Sequence, residues 1–327
     1  MFPTKVLLAT DGSENAFTAS RMAIELANKT GSELHVVHVG ATLPPIYGYM
    51  EAQHAELVDP ERAEQRARRL LDEQVGHIET EGGFVAEAHL EIGEADEKVV
   101  ALSEELGAGL IVAGSRGLSG LRRALMGSVS ESIVNHAHCP VLVVRTVKDG
   151  TIIFPTKIVL ATDGSEEATL AAQAAIDLVN KTGSELHVVY VVPIPLAIDA
   201  SSEALAMSEV ATEEVRERAQ RFLDEQVQKI EATGSTVAQA HARLGRTDEE
   251  TIALADELGA GLIVVGSRGL GGLRRALIGS VSDSVVRHAH CPVLVVRREE
   301  EESPPRSSDN RSAEELPPEP PPTLTLP

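Results

Sequence analysis

A chain of 327 residues that repeats itself at one constant offset has few ways to fold other than as two copies of one domain. Phe2-Pro-Thr-Lys5 returns at Phe154-Pro-Thr-Lys157, and the ATDGSE run beginning at Ala9 returns at Ala161. The ten-residue run NKTGSELHVV from Asn28 returns intact from Asn180. Every pair is 152 positions apart, so the duplicated unit is domain-sized and carries no net insertion. Solenoid repeats are several-fold shorter. The expected division is a domain over 1–148, a short linker from Thr146 to Ile153, a second domain over 153–298, and a tail over 299–327.

Within the first copy the hydrophobic pattern switches between strand and helix periods. Lys5 to Thr10 reads as a strand, and Ser13 as the N-cap of a helix from Glu14 to Lys29 whose C-terminus is marked by Gly31. Glu33 to Val39 is a second strand, and Gly40 to Pro60 a variable loop. An amphipathic helix follows from Glu61 to Glu79, then strand Val85 to Leu90, helix Glu97 to Leu106 and strand Leu110 to Ala113. A helix from Val129 to Ala137 and a last strand from Val141 to Arg145 close the unit. Alternating strands and helices imply parallel strands with right-handed crossovers. The second copy repeats this order, with a variable stretch from Pro193 to Ala211 that shares almost nothing with its counterpart.

The stretch Gly114 to Ser130, GSRGLSGLRRALMGSVS, and its twin Gly266 to Ser282 lie between a buried strand and a helix N-terminus. Free backbone N–H groups and the positive end of a helix dipole converge at such a place, which suits an anion. Glycine allows backbone to approach a phosphate without a Cβ in the way. The spacing is Gly114-x-x-Gly117, nine residues, Gly127-Ser128, and again Gly266-x-x-Gly269, nine residues, Gly279-Ser280. In this pattern the chain resembles the ATP-binding branch of the universal stress protein family, and the resemblance covers residues 1–298. It implies an α/β chain of two tandem Rossmann-like (adenine nucleotide alpha hydrolase-like) domains. Each would hold a five-stranded parallel sheet of order 3-2-1-4-5 with helices on both faces. Strands 1 and 4 then flank the switch point, where ligands bind beyond the carboxyl ends.

The resemblance also implies the ligand and its contacts: one ATP per domain, with Mg2+ (or Mn2+) held mainly by the phosphates. Phosphate contacts carry over to Gly114, Gly117, Gly127, Ser128, Val129 and Ser130, and to Gly266, Gly269, Gly279, Ser280, Val281 and Ser282. The adenosine part carries over to Asp11 and Val39, and to Asp163 and Val191. Arg116 and Arg268, inside the loops, either fold over the phosphates or point to solvent. Asp11 also reads as a turn-former, Val39 as ordinary strand packing, and Ser128 and Ser280 as helix caps.

Other chemistry finds less support. His136-Ala-His138-Cys139 and His288-Ala-His290-Cys291 are too closely spaced to converge on a metal, so no metal site of the protein's own is expected. Cys139 and Cys291, one per copy, read as buried free thiols. The Walker lysine is absent and the glycine motif holds no His or Glu to position water, so no catalytic residue is assigned. The expected role is a nucleotide-dependent stress or signalling module; a nucleotide-free adaptor and a slow ATPase are the alternatives.

A net charge of −21 with 2% aromatics argues against nucleic acid and anionic membranes as partners. No signal-like or membrane-spanning run appears, and a cytoplasmic protein is expected. The apolar edges Val141-Leu-Val-Val144 and Val293-Leu-Val-Val296 invite pairing with each other, an intramolecular pseudo-dimer that leaves a further homodimer open. The tail holds eight acidic residues and eight prolines among its 29, a disordered composition that suits a solubilising segment or a docking site for an unknown protein.

Overall fold

The computed structural model describes residues 3–40, 60–117, 126–145, 154–193, 202–269 and 278–298, with 60 and 202–212 described by backbone alone. The tail, Tyr47, Tyr49 and the arginine pairs at 122–123 and 274–275 lie outside the described residues.

The first half runs β1 (Lys5–Ala9), α1 (Glu14–Thr30), β2 (Glu33–Gly40), α2 (Pro60–Thr80), β3 (Val85–Ile92), α3 (Ala95–Leu106), β4 (Leu110–Gly114), α4 (Ser128–His136) and β5 (Val141–Val144). The second half repeats it as β6 (Lys157–Ala161), α5 (Glu166–Thr182), β7 (Glu185–Val192), α6 (Ser202–Glu231), β8 (Gln239–Leu244), α7 (Thr247–Leu258), β9 (Leu262–Gly266), α8 (Ser280–His288) and β10 (Val293–Val296). Local chemistry sets the ends of the helices. Ser13 caps α1 by accepting from the Ala16 N–H at 3.2 Å, and Gly31 ends it in the left-handed region at φ 73°. Ser165 and Gly183 do the same for α5.

The variable stretch of the second half is partly helical. Residues 202–211 are the first turns of α6, which is 30 residues long against 21 for α2. The run SEALAMSEVA is dense in Ala, Leu, Met and Glu, all strong helix formers, and no proline interrupts it after Pro195.

All ten strands form one sheet, in the order β3-β2-β1-β4-β5-β10-β9-β6-β7-β8. Each half is parallel within itself and shows the order 3-2-1-4-5. The halves meet where β5 and β10 pair antiparallel, with Val143 opposite Val293 and Val141 opposite Val295. Both faces of the sheet are covered, so successive strand residues are buried on alternate sides. Val6, Leu8, Val36, Val112 and Leu142 pack under α1, α2 and their mates. Leu7, Val37, Ile111, Val141 and Val143 pack under α3, α4 and theirs. Each apolar layer continues through the seam, since residues of both halves belong to both.

Two arginines that follow the seam strands reach across it. The Arg145 guanidinium donates to the Val286 and Arg287 carbonyls at the end of α8, both at 2.6 Å. Arg297 donates to the Val134, Asn135 and Ala137 carbonyls at the end of α4. Each half thus supplies the C-terminal cap of the other half's last helix.

Candidate functional site

Parallel strands place their carboxyl ends on one rim of the sheet, and the loops after β1 and β4 meet there. Three backbone features build the site in the first half. β4 ends at Gly114, pressed so close to the first turn of α1 that a Cβ would stand 2.8 Å from the Asn15 carbonyl carbon. The chain then passes Asp11: at Gly117 a Cβ would come within 2.4 Å of Asp11 Oδ2. After residues 118–125 the loop returns, and Gly127 donates its N–H to the Ser115 carbonyl at 2.8 Å. α4 starts there, with Gly127 as an N-cap that offers no side chain.

Asp11 serves in two ways. Oδ1 accepts from the Ser13 N–H at 3.0 Å, the turn expected of such a residue, while Oδ2 lies against the glycine loop. Ser130 is buried, and its hydroxyl donates to the Gly114 carbonyl at 2.6 Å, tying the first turn of α4 to the end of β4. Its proton is therefore committed, whereas Ser128 is exposed at the helix start. The Ser13 hydroxyl donates to the Arg116 carbonyl at 3.3 Å and fixes the loop from the other side. Arg116 Nε is buried without a hydrogen-bond partner among the described residues. Burial, and then the charge of Arg116, hold the Arg145 guanidinium below the usual arginine range.

These groups enclose a cavity of about 290 Å3. All nine first-half positions singled out in the sequence line it, from Asp11 and Val39 to the residues of the glycine loop. Sequence reasoning missed its apolar floor, which includes Ala95, Val99, Met126 and Ile133. The period of α3 marks Val99 as inward-facing, but nothing local says that it faces a cavity rather than core. A second cavity, also about 290 Å3, adjoins the first through Val39, Ala95, Ser128 and Val129.

The second half repeats the frame. A Cβ at Gly269 would meet Asp163 Oδ2 at 2.4 Å, Gly279 donates to Ser267 at 2.7 Å, and Ser282 donates to Gly266 at 2.6 Å. Asp163 Oδ1 accepts from the Ser165 N–H at 3.0 Å. Arg268 Nε is buried without a partner among the described residues, as in the first half. Val191 is buried at the end of β7, and Val281 is 38% exposed at the start of α8. The two halves differ beside the loop: Glu167 stands where the first half has Asn15, and Phe222 packs near Gly164 where Leu70 packs near Gly12.

Outside the crevice, hydrogen bonds tie the last helix of each half to its neighbour. Ser132 donates to Asp96 at 2.5 Å and touches His136 Nδ1 at 3.1 Å, but the carboxylate sits on the serine and not on the imidazole. That order ties α4 to α3 and does not activate a nucleophile. Cys139 is buried, and desolvation pushes the Cys291 thiol up to about 12.

The model of the universal stress protein family matches this chain twice, over residues 3–145 and 155–297. The chain belongs to the universal stress protein family. A two-domain universal stress protein of Mycobacterium tuberculosis is 31% identical over 305 residues, covering 89% of this chain and 96% of that one. A Bacillus subtilis universal stress protein is 34% identical over 146 residues, which is 98% of its own length and 43% of this chain. Among solved structures, a universal stress protein from Archaeoglobus fulgidus is 27% identical with a TM-score of 0.61, covering 90% of this chain and 96% of that one. One from Pseudomonas aeruginosa, at 20% identity and a TM-score of 0.59, shares the fold over 91% of this chain and 94% of its own. No described helix is long and apolar enough to cross a membrane.

Proposed function

We propose that each half binds one ATP in the crevice beyond β1 and β4, or β6 and β9, and that the protein acts in the cytoplasm as a nucleotide-dependent stress or signalling module. The observation that carries this reading is the single cavity gathering all nine first-half positions. The adjoining cavity extends it along the rim, which gives room for both a nucleoside and its phosphates.

The donor chemistry fits. The first N–H groups of α4, over Ser128 to Ser130, have no side-chain cap and point with the helix dipole into the crevice. Gly127 is extended at φ −79°, and a Cβ there would meet no described atom closer than 3.4 Å. Neither backbone angles nor described packing demand glycine at that position, beyond its merit as an N-cap, and close approach of a phosphate would. Asp11 Oδ2 faces the loop as an acceptor for ribose hydroxyls or the adenine amine. Mg2+ would ride on the phosphates, neutralising charge that the backbone donors only partly offset. Without a Walker lysine or a water-positioning group in the motif, the site suits retention of the nucleotide over rapid turnover.

Nucleotide content tests this directly. The protein, purified without added nucleotide and then denatured, is expected to release about two ATP per chain on ion-exchange chromatography. If extraction and subsequent calorimetric titration with Mg-ATP both show no binding, the reading fails and a nucleotide-free adaptor takes its place.

A further inference from the structure

At the other end of β2 from the nucleotide crevice, two histidine rings face each other across a strand boundary. His35 Nδ1 lies 3.2 Å from His89 Nε2, and Glu87 Oε2 lies 4.0 and 3.8 Å from these same two nitrogens. The remaining nitrogen of His35, Nε2, is buried without a hydrogen bond and points towards the Glu33 carboxylate, 3.7 Å away. A bulge makes this meeting possible. Leu34 pairs with Val85 but His35 pairs with Glu87, so Ala86 is an extra residue on β3. It brings Glu87 beside His35, with His89 two residues further along the same face. β3 is an edge strand, so the cluster has a path to solvent.

We infer that His35, His89 and Glu87 form a binding site for one divalent transition-metal ion of the zinc type. Two nitrogens held by a tetrahedral zinc at about 2.0–2.1 Å lie about 3.3 Å apart, close to the separation of these rings. Glu87 is exposed, and a shift of about half an ångström brings its oxygen to the same bite. Two imidazoles with one carboxylate leave a fourth position for water, a donor set that favours zinc over the oxygen-seeking Mg2+ and Ca2+. Glu33, 3.7 Å from the far nitrogen of His35, is placed to become the outer carboxylate that fixes tautomer and ring orientation in such sites once it closes to hydrogen-bond distance. Among the described residues no other group of His, Cys, Asp and Glu could hold a metal in this way. About 13 Å of strand, from His35 to Val39, separates the cluster from the crevice, so any ion held by ATP belongs to a different place.

The second half supplies an internal control. Its His187 Nδ1 and His241 Nε2 are also 3.2 Å apart, and Glu185 lies 3.7 Å from His187 Nε2. However, Gln239 occupies the position of Glu87, and Arg243 that of Glu91. Arg243 pairs with Glu250 and Glu257 and lies close enough to His241 for its charge to oppose a proton there. The pair is kept, but the carboxylate is lost and a cation is added. One metal per chain is expected, in the first half.

The test is titration of the untagged, nucleotide-stripped full chain with Co2+, followed by visible absorption and then displacement by Zn2+. The expected result is one equivalent with the spectrum of four-coordinate cobalt, absent in His89→Ala. Glu33→Gln should weaken binding by about 10–100-fold. Gln239→Glu combined with Arg243→Glu should raise the stoichiometry to two. His89 is partly exposed on an edge strand, so its loss leaves the fold intact, and far-UV circular dichroism checks this. Absence of saturable uptake would leave a hydrogen-bonded histidine pair only and overturn the inference. So would a cobalt spectrum unchanged in His89→Ala, or one abolished by His136→Ala with His138→Ala.

Discussion

Two glycines of the same motif are glycine for different reasons, and the difference can be measured. Gly117 is constrained from inside, because a Cβ would collide with Asp11 Oδ2. Gly127 is not: alanine fits its backbone angles and its described neighbours. Gly127→Ala should change stability by no more than about 1 kcal/mol, the entropy removed from the unfolded chain being offset by a poorer N-cap for α4. It should also weaken ATP binding about tenfold or more, because the added Cβ would hold the phosphate off one of the α4 N–H groups. Calorimetry with Mg-ATP beside a thermal melt separates the two effects. A second residue-scale prediction concerns Ser132 and Ser284. The Ser132 hydroxyl holds the Asp96 carboxyl below its usual range, and Ser284 does so for Asp248 against the opposing pull of burial. A carboxylate depressed in the folded state stabilises at neutral pH, and that contribution is lost as pH falls through the folded value. Ser132→Ala with Ser284→Ala should therefore lower the urea midpoint at pH 7, and the deficit should shrink as the pH falls through the depressed folded values.

At the scale of elements, the sequence declares its helix ends because single residues set them. Ser13 and Gly31 bracket α1 as expected, and Ser13→Ala should cost about 1 kcal/mol in a denaturant titration, with Ser165→Ala matching it. The glycine loop was legible because its spacing stands between a strand and a helix start. The extra residue at Ala86 was not, since a bulge shifts pairing without changing the period of the strand that carries it. The His35–His89 contact is invisible in sequence for the same reason: the two lie 54 positions apart and are joined by register alone. The early start of α6 lies in the stretch where the two copies share almost nothing, so the repeat could not place it, although its composition favours a helix.

For the whole molecule, the repeat defines two like halves, and topology supplies their join. The antiparallel contact of β5 with β10 turns two five-stranded sheets into one of ten and lets both apolar layers run through. Arg145 seals that join, and its loss strips two hydrogen bonds from the end of α8. Arg145→Ala should cost about 2 kcal/mol, read as a lower denaturant midpoint for a single transition spanning both halves. Two separate transitions in the native chain would show that the shared layers do not couple them. The apolar edges of β5 and β10 could be read from the sequence, but the crossed arginine caps could not. They depend on where the strand ends fall once the sheet has closed.

The seam is also not symmetric. Arg287 on α8 pairs with Glu131 on α4, while the position related to Arg287 by the repeat is Asn135, so among the described residues Asp283 has no matching cation across the join. In an assembly of identical subunits every substitution at a two-fold contact appears twice, so a residue cannot be matched to a different one on the other side. Fusion removes that restriction. Each half of this chain is free to become a lock for the other and a poor fit for itself, so a cell holding many related stress proteins could keep these two halves from exchanging partners.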